Sequence, residues 1–404
     1  MKMKLLVLTL ACAVSLPSFA ADEPVVVIAK ADVDAAASAV AADDDQQTEP
    51  GSDEVTSPSA EDLAGRLDSI TEAFTEARNT LDNLNRMRFS GYIQPQYLND
   101  ERSINELTGV AATRNRDQFS VRRARIKFAY QFSPTSRFIF QPDFGTGGAP
   151  TLKDGYVEYT EPWTTWRNTL TAGQFNWPFG FEIMYSSSSR EMPERSNVVR
   201  TLFPGERDRG AMLSGVGFGE RFNYRVAVVN GTGTAQTFDF NKRKDVVARV
   251  GGTLGPLDLG VSLYRGAELV SLTGLTRGRE FDKERTGIDF QWVTPVPGLG
   301  VRGEYIRGVQ PPNPGVAQTV RAADVDGWYA YAIQNLGTRH QFVVRVDEYD
   351  PNTDTNNNAT RTIGGSYIFH WDANSKFMFA YEQPELEDSD PDDNVFTLRY
   401  QYSF

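Results

Sequence analysis

The 404-residue chain has one cysteine, Cys12, and two histidines, His340 and His370. A lone cysteine permits no intrachain disulfide and no thiolate metal site, and two distant histidines offer little to zinc or to a nucleophile–base pair. No elbow-type nucleophile motif, zinc signature or phosphate-cradling glycine loop is present. No run of about 18 apolar residues occurs, which excludes a helical membrane protein. Lysine is scarce beyond residue 62, with 6 Lys against 32 Arg. The formal net charge is −12, so bulk charge gives nucleic-acid binding no support. These absences point away from an enzyme and require no cofactor.

What is present is aromatic side chains, 25 Phe and 16 Tyr, in a chain whose mean hydropathy is negative. A transmembrane β-barrel has this composition, because one lipid face alternates with one wet face and aromatic girdles raise the ring count.

Four segments follow along the chain. Residues 1–20 read as a secretory signal, with Lys2 and Lys4, an apolar stretch from Leu5 to Leu16, and Ser18-Phe19-Ala20 as a small-x-small cleavage site. Residues 21–62 hold twelve acids against one base, Lys30, and few large side chains, which predicts an acidic disordered linker. In residues 63–87, Leu63, Leu67, Ile70, Phe74, Ala77, Leu81 and Leu84 recur with heptad spacing. That predicts a helix, either a lone amphipathic one or a periplasmic coiled coil joining copies; the short length favours association.

From Arg88 to Phe404 the period changes to two. Phe396, Leu398, Tyr400, Tyr402 and Phe404 alternate with Thr397, Arg399, Gln401 and Ser403. Sixteen candidate strands emerge, among them 88–97, 118–132, 258–266 and 284–294. At about 20 residues per strand and connection, they suit an all-β, 16-stranded antiparallel transmembrane barrel over 88–404. Closure is required in lipid, where an open sheet edge leaves amides unpaired.

Alternation places Arg123, Arg125, Lys127, Arg137, Arg225, Arg249, Arg302, Arg345 and Arg399 on lumen-facing positions. Guanidinium groups in a narrow aqueous pore attract anions and hold phosphate bidentately. Inward acids Asp143, Glu158, Asp289, Glu304 and Asp347 leave a second reading open for each, an ion pair across the lumen. The longest connection in the first half, residues 178–206, carries Arg190, Arg195 and Arg200 with four serines, Ser186 to Ser189. It either folds inward and narrows the pore or stands outside.

Several stretches resemble the phosphate-selective porin O and P family. They are Gly173-Gln174-Phe175-Asn176-Trp177-Pro178-Phe179-Gly180-Phe181-Glu182, then Phe203-Pro204-Gly205-Glu206-Arg207-Asp208-Arg209-Gly210, the start Phe89-Ser90-Gly91-Tyr92-Ile93-Gln94, and the run Arg122-Arg123-Ala124-Arg125. The resemblance implies a trimeric sixteen-stranded outer-membrane porin with an arginine-rich lumen and an inward third loop, passing phosphate or polyphosphate. Many members have a lysine just before the Pro-Phe-Gly turn, where this chain has Asn176. The expected function is a passive diffusion channel for small hydrophilic solutes, with anions such as phosphate preferred. The expected partners are outer-membrane lipid, small anionic solutes and two further copies of the chain. An alternative role is envelope tethering, in which the N-terminal helix contacts peptidoglycan.

Overall fold

The structure is a computed structural model that describes residues 60–101, 116–145, 148–234, 238–273, 275, 278–317, 320–387 and 394–404. The signal expected at 1–20 lies outside the described residues, as does the acidic segment except for its last residues.

Helix α1 spans Ala60–Asn85, starting three residues before the heptad seam. Its seam is uncovered: Leu67, Ile70, Phe74, Leu81 and Leu84 are each at least half exposed.

Sixteen strands follow: β1 (Met87–Asp100), β2 (Arg116–Ser133), β3 (Ser136–Asp143), β4 (Thr151–Thr160), β5 (Thr169–Asn176), β6 (Arg207–Gly217), β7 (Phe222–Val229) and β8 (Asp245–Leu254) form the first half. The second half is β9 (Leu257–Val270), β10 (Arg279–Val293), β11 (Leu299–Gln310), β12 (Ala323–Leu336), β13 (His340–Asp350), β14 (Thr360–His370), β15 (Ser375–Leu386) and β16 (Val395–Ser403). Each pairs antiparallel with its sequence neighbours, and β1 pairs with β16 to close the barrel. A short helix, α2 (Asn197–Leu202), lies in the β5–β6 connection.

The faces are inverted relative to a soluble protein. On β13, Val343, Arg345, Asp347 and Tyr349 are buried, whereas Phe342 and Val344, which alternate with them, are about half exposed. On β16, Val395, Thr397, Arg399 and Gln401 are buried while Phe396 and Tyr402 are exposed. Charge turned inward and rings turned outward is the arrangement a lipid-embedded barrel requires. The chain terminus seals the seam. Gly91 N donates to Phe404 O at 2.9 Å, Phe404 N donates back at 3.0 Å, and a Cβ on Gly91 would sit 2.6 Å from the Phe404 ring.

The hairpin of β9 and β10 is longer than the alternation indicates, reaching Val270 and Arg279. Its ladder continues from Lys283↔Gly266 to Arg279↔Val270. Hydrophobic alternation stops where lipid contact stops, but the hydrogen-bonded ladder does not, so residues 267–270 and the polar run Arg279 to Lys283 read falsely as turn. The connections after odd-numbered strands lie on one rim and include the longest; those after even-numbered strands lie on the other and, apart from residues 161–168 after β4, are short turns, as at Ser133–Ser136 and Leu254–Leu257.

Candidate functional site

Residues 177–206, between β5 and β6, fold into the lumen. This connection carries an apolar core of its own. Phe179, Ile183, Met192, Val198, Val199, Leu202 and Phe203 are at most 2% exposed and cluster with wall residues Tyr264, Ile306, Val325, Tyr329, Tyr331 and Val343. Each such side chain contributes about 1.5–3 kcal/mol on burial. An excursion this apolar gains nothing in water and gains much against the inner wall.

Polar anchors fix its position on β1, β2, β9 and β11–β16. Tyr92 and Ser187 share a hydroxyl hydrogen bond of 2.6 Å, and Gln94 Nε2 donates to Ser187 O. Lys376 Nζ and Gln401 Nε2 donate to Ser188 O at 2.6 and 3.0 Å. Gly180 N donates to Ser262 Oγ at 2.9 Å, and Asn197 N donates to Asp347 Oδ1 at 3.1 Å. Gly180 has φ +58°, and a Cβ there would collide with the Glu304 carboxylate, so no other residue fits this approach. Backbone carbonyls of an irregular segment need donors. Arg195 supplies them, donating to Glu182 O, Ile183 O and Tyr185 O at 2.7–3.1 Å.

At the centre is Glu194. Arg122 Nε, Arg123 Nη2 and Arg399 Nη2 reach its carboxylate at 2.8, 2.7 and 3.1 Å, and Arg190 lies 3.9 Å away. Burial alone would raise the Glu194 carboxyl, but Arg123, Arg122, Arg399 and Arg190 hold it well below its usual range. It therefore stays ionised and keeps four cations attached to one point of the loop.

The expected pore-lining residues divide into paired and unpaired groups. Arg123 bonds Glu194 and Gln94, Arg125 bonds Asp143 and Ser187, and Arg249 bonds Asp289 at 2.6 Å. Arg137 is exposed and pairs with Glu158. In the loop, Arg190 and Arg195 are buried; Arg195 pairs with Glu206, and Arg190 lies 3.8 Å from it. Arg302 pairs with Glu191, and Arg345 with Asp347 and Glu382. Lys127 is half-buried on β2, and Arg200 is exposed on α2. Arg225 is half-buried on β7 directly opposite Arg249, and among the described residues it makes no ion pair. Two like charges facing each other across a ladder are unfavourable unless something negative lies between or beside them.

Two lumen cations break the period of two, both delivered by bulges. The β1–β2 register steps from Gln94↔Arg123 to Pro95↔Val121, so Arg122 is the extra residue and reaches Glu194 beside Arg123. The β3–β4 register steps from Gln141↔Asp154 to Pro142↔Leu152, which makes Lys153 the extra residue. A bulge re-aims a side chain against the period of two. The charged neighbours of Lys153 are Arg125, Arg207, Asp143 and Arg123, and it makes no ion pair among the described residues. The sequence signal was the proline in each bulged pairing, Pro95 and Pro142, because proline cannot donate to a ladder. Lys153 and Arg225 thus stand on β4 and β7, strands the loop anchors do not use.

Comparison with known proteins accords with this geometry. The model of the family described as phosphate-selective porin O and P matches residues 98–268. A sequence search of the curated proteins finds no match. Among solved structures, the chain is similar to an anion-selective porin from Comamonas acidovorans, with TM-score 0.59, 11% identity, and coverage of 79% of this chain and 99% of that one. It is similar to OmpT of Vibrio cholerae in a trimer form, with TM-score 0.57, 9% identity, and coverage of 79% and 99%. The outer-membrane channel DcaP of Acinetobacter baumannii gives TM-score 0.55 at 11% identity, covering 79% and 97%. At such identities the likeness is one of fold.

Proposed function

We propose that this chain, which carries the phosphate-selective porin O and P signature over residues 98–268, is a passive outer-membrane channel for small hydrophilic solutes with a preference for anions. The observation that carries the channel is a closed sixteen-stranded barrel whose longest first-half connection narrows the lumen instead of capping it. Family and fold are those of a channel rather than an enzyme. Selection needs no cofactor: pore width and fixed charge decide which ions enter.

Anion preference rests on the difference between paired and unpaired cations. Arg123, Arg125 and Arg249 have their charge answered by Glu194, Asp143 and Asp289, so their main effect is to hold the loop and the wall. Lys153 and Arg225 keep theirs for a mobile anion. Planar-bilayer recordings of the purified protein across a potassium chloride gradient test this. A reversal potential favouring chloride is expected, with phosphate at low concentration reducing the current. A potential favouring potassium, with no response to phosphate, overturns the preference and leaves a general porin.

The second element is assembly. OmpT, similar in fold, is described in a trimer form. The exposed α1 seam of Leu67, Ile70, Phe74, Leu81 and Leu84 supports a coiled coil with further copies of this chain, since apolar side chains at heptad spacing bury each other only in a bundle. The only cysteine is Cys12, so Leu67→Cys puts a single thiol beyond the signal segment. Oxidation of that variant in the membrane is expected to give a disulfide-linked pair of chains. Failure to cross-link in a preparation that is oligomeric by size removes the coiled coil and leaves assembly to the barrel.

A further inference from the structure

On the rim of long connections, loop and wall residues line an open-sided cavity of about 620 Å³, a size that suits small-molecule ligands. The connections after β5, β7, β9 and β11 all contribute to it, so it lies at the mouth of the channel rather than at the Glu194 cluster. Its walls are aromatic. Trp177, Phe203 and Tyr264 pack together with ring centroids 5.6–6.4 Å apart, and Phe240 stands 68% exposed at the edge. Arg285, 2% exposed, has its guanidinium 5.0 Å from the Phe203 ring and 5.1 Å from the Tyr264 ring. One nitrogen, Nη2, donates to Gln310 Oε1 at 2.6 Å. Both Arg285 and Trp177 line the cavity, and the Arg285 Nε–H and the Trp177 indole N–H, shielded from water, have no acceptor among the described residues. Buried donors left unpaired in a site otherwise well packed mark places where a ligand supplies the acceptor.

We propose that this cavity is a binding subsite for a solute carrying a planar carboxylate on a ring-sized apolar body. The inference rests on the channel reading and names a solute class at its mouth. Two rings cover the guanidinium, leaving its in-plane edge, and an in-plane fork of N–H donors matches a planar carboxylate. The apolar body packs against Trp177, Phe203 and Phe240. Inorganic phosphate fits worse: the walls give its remaining oxygens few donors, and Glu268 and Asp239 in the lining repel a second negative charge. Lys283 does not compensate, since its Nζ donates to Gly231 O at 2.7 Å and lies 3.6–3.7 Å from Glu268 and Asp245.

The test uses the full-length protein in a planar bilayer, with cyclohexanecarboxylate as the probe and cyclohexylmethanol and inorganic phosphate as controls. Cyclohexanecarboxylate added on the long-loop side is expected to interrupt the current in resolved events, and the neutral alcohol is not. Arg285→Gln and Arg285→Lys should each weaken that block about tenfold or more, because lysine keeps the charge and loses the fork. Phe240→Ser, at an exposed position, should weaken it without disturbing the barrel. Potassium chloride conductance, recorded first for every variant, separates the outcomes. No conductance in the unmodified protein overturns the channel reading. Normal conductance with a block by cyclohexanecarboxylate that survives both Arg285 variants, or with equal block by the alcohol, overturns the subsite alone.

Discussion

Glu194→Ala is expected to release the lumen loop while the barrel stays closed. The carboxylate is the common partner of Arg122, Arg123 and Arg399, and Arg190 lies near it. Removing one partner of a covered ion cluster costs about 3–5 kcal/mol, because the remaining charges are left without an answer. At about 1.4 kcal/mol per tenfold, the equilibrium between docked and undocked loop moves by more than about a hundredfold. The sixteen-stranded ladder does not pass through Glu194, so the heat stability of the folded barrel should change little. Single-channel recordings should show a larger and noisier open level. The preference for chloride should rise too, since three guanidiniums lose their counter-charge. Glu194→Gln keeps an acceptor of the same shape and should show the same changes to a smaller degree. An alanine variant with unmodified conductance and selectivity would remove Glu194 from its place as the latch.

The second large effect concerns the unpaired wall. Replacing both Lys153 and Arg225 by glutamate is expected to turn a reversal potential that favours chloride into one that favours potassium. A permeating ion 5 Å from a unit charge, at an effective dielectric near 20, feels about 3 kcal/mol, several times thermal energy even before salt screening reduces it. The fold should tolerate the change. Glutamate at 225 faces Arg249 across the β7–β8 ladder, replacing two like charges by opposite ones. Replacing Arg123 or Arg125 discriminates less well, because each leaves an acid, Glu194 or Asp143, without its cation. Such a variant loses anion preference whether or not the arginine ever touched an anion. A Lys153/Arg225 double variant that still favours chloride would move selectivity to the loop or to the mouth.

Sequence and structure divide the responsibility along a physical line. Strand positions were legible wherever a strand faces lipid, because alternate residues must be apolar there; β16, with Phe396 to Tyr402 outward and Thr397 to Gln401 inward, is such a case. Alternation failed at the rim, where β9 and β10 continue past the lipid, and at Arg122 and Lys153, where bulges break the period of two. Arginine's abundance was visible, but its partners were not. Arg125 meets Asp143 on the next strand, whereas Arg302 meets Glu191 and Arg399 meets Glu194 from positions far apart in the chain.

The sequence by itself therefore determined a closed sixteen-stranded barrel with a heptad helix before it, because periodicity and closure in lipid are local requirements repeated many times. Only the tertiary structure decided that residues 177–206 turn inward and that most lumen arginines are neutralised. It also decided that Lys153 and Arg225 make no ion pair among the described residues. Those outcomes depend on which long-range partners come within about 3 Å of one another.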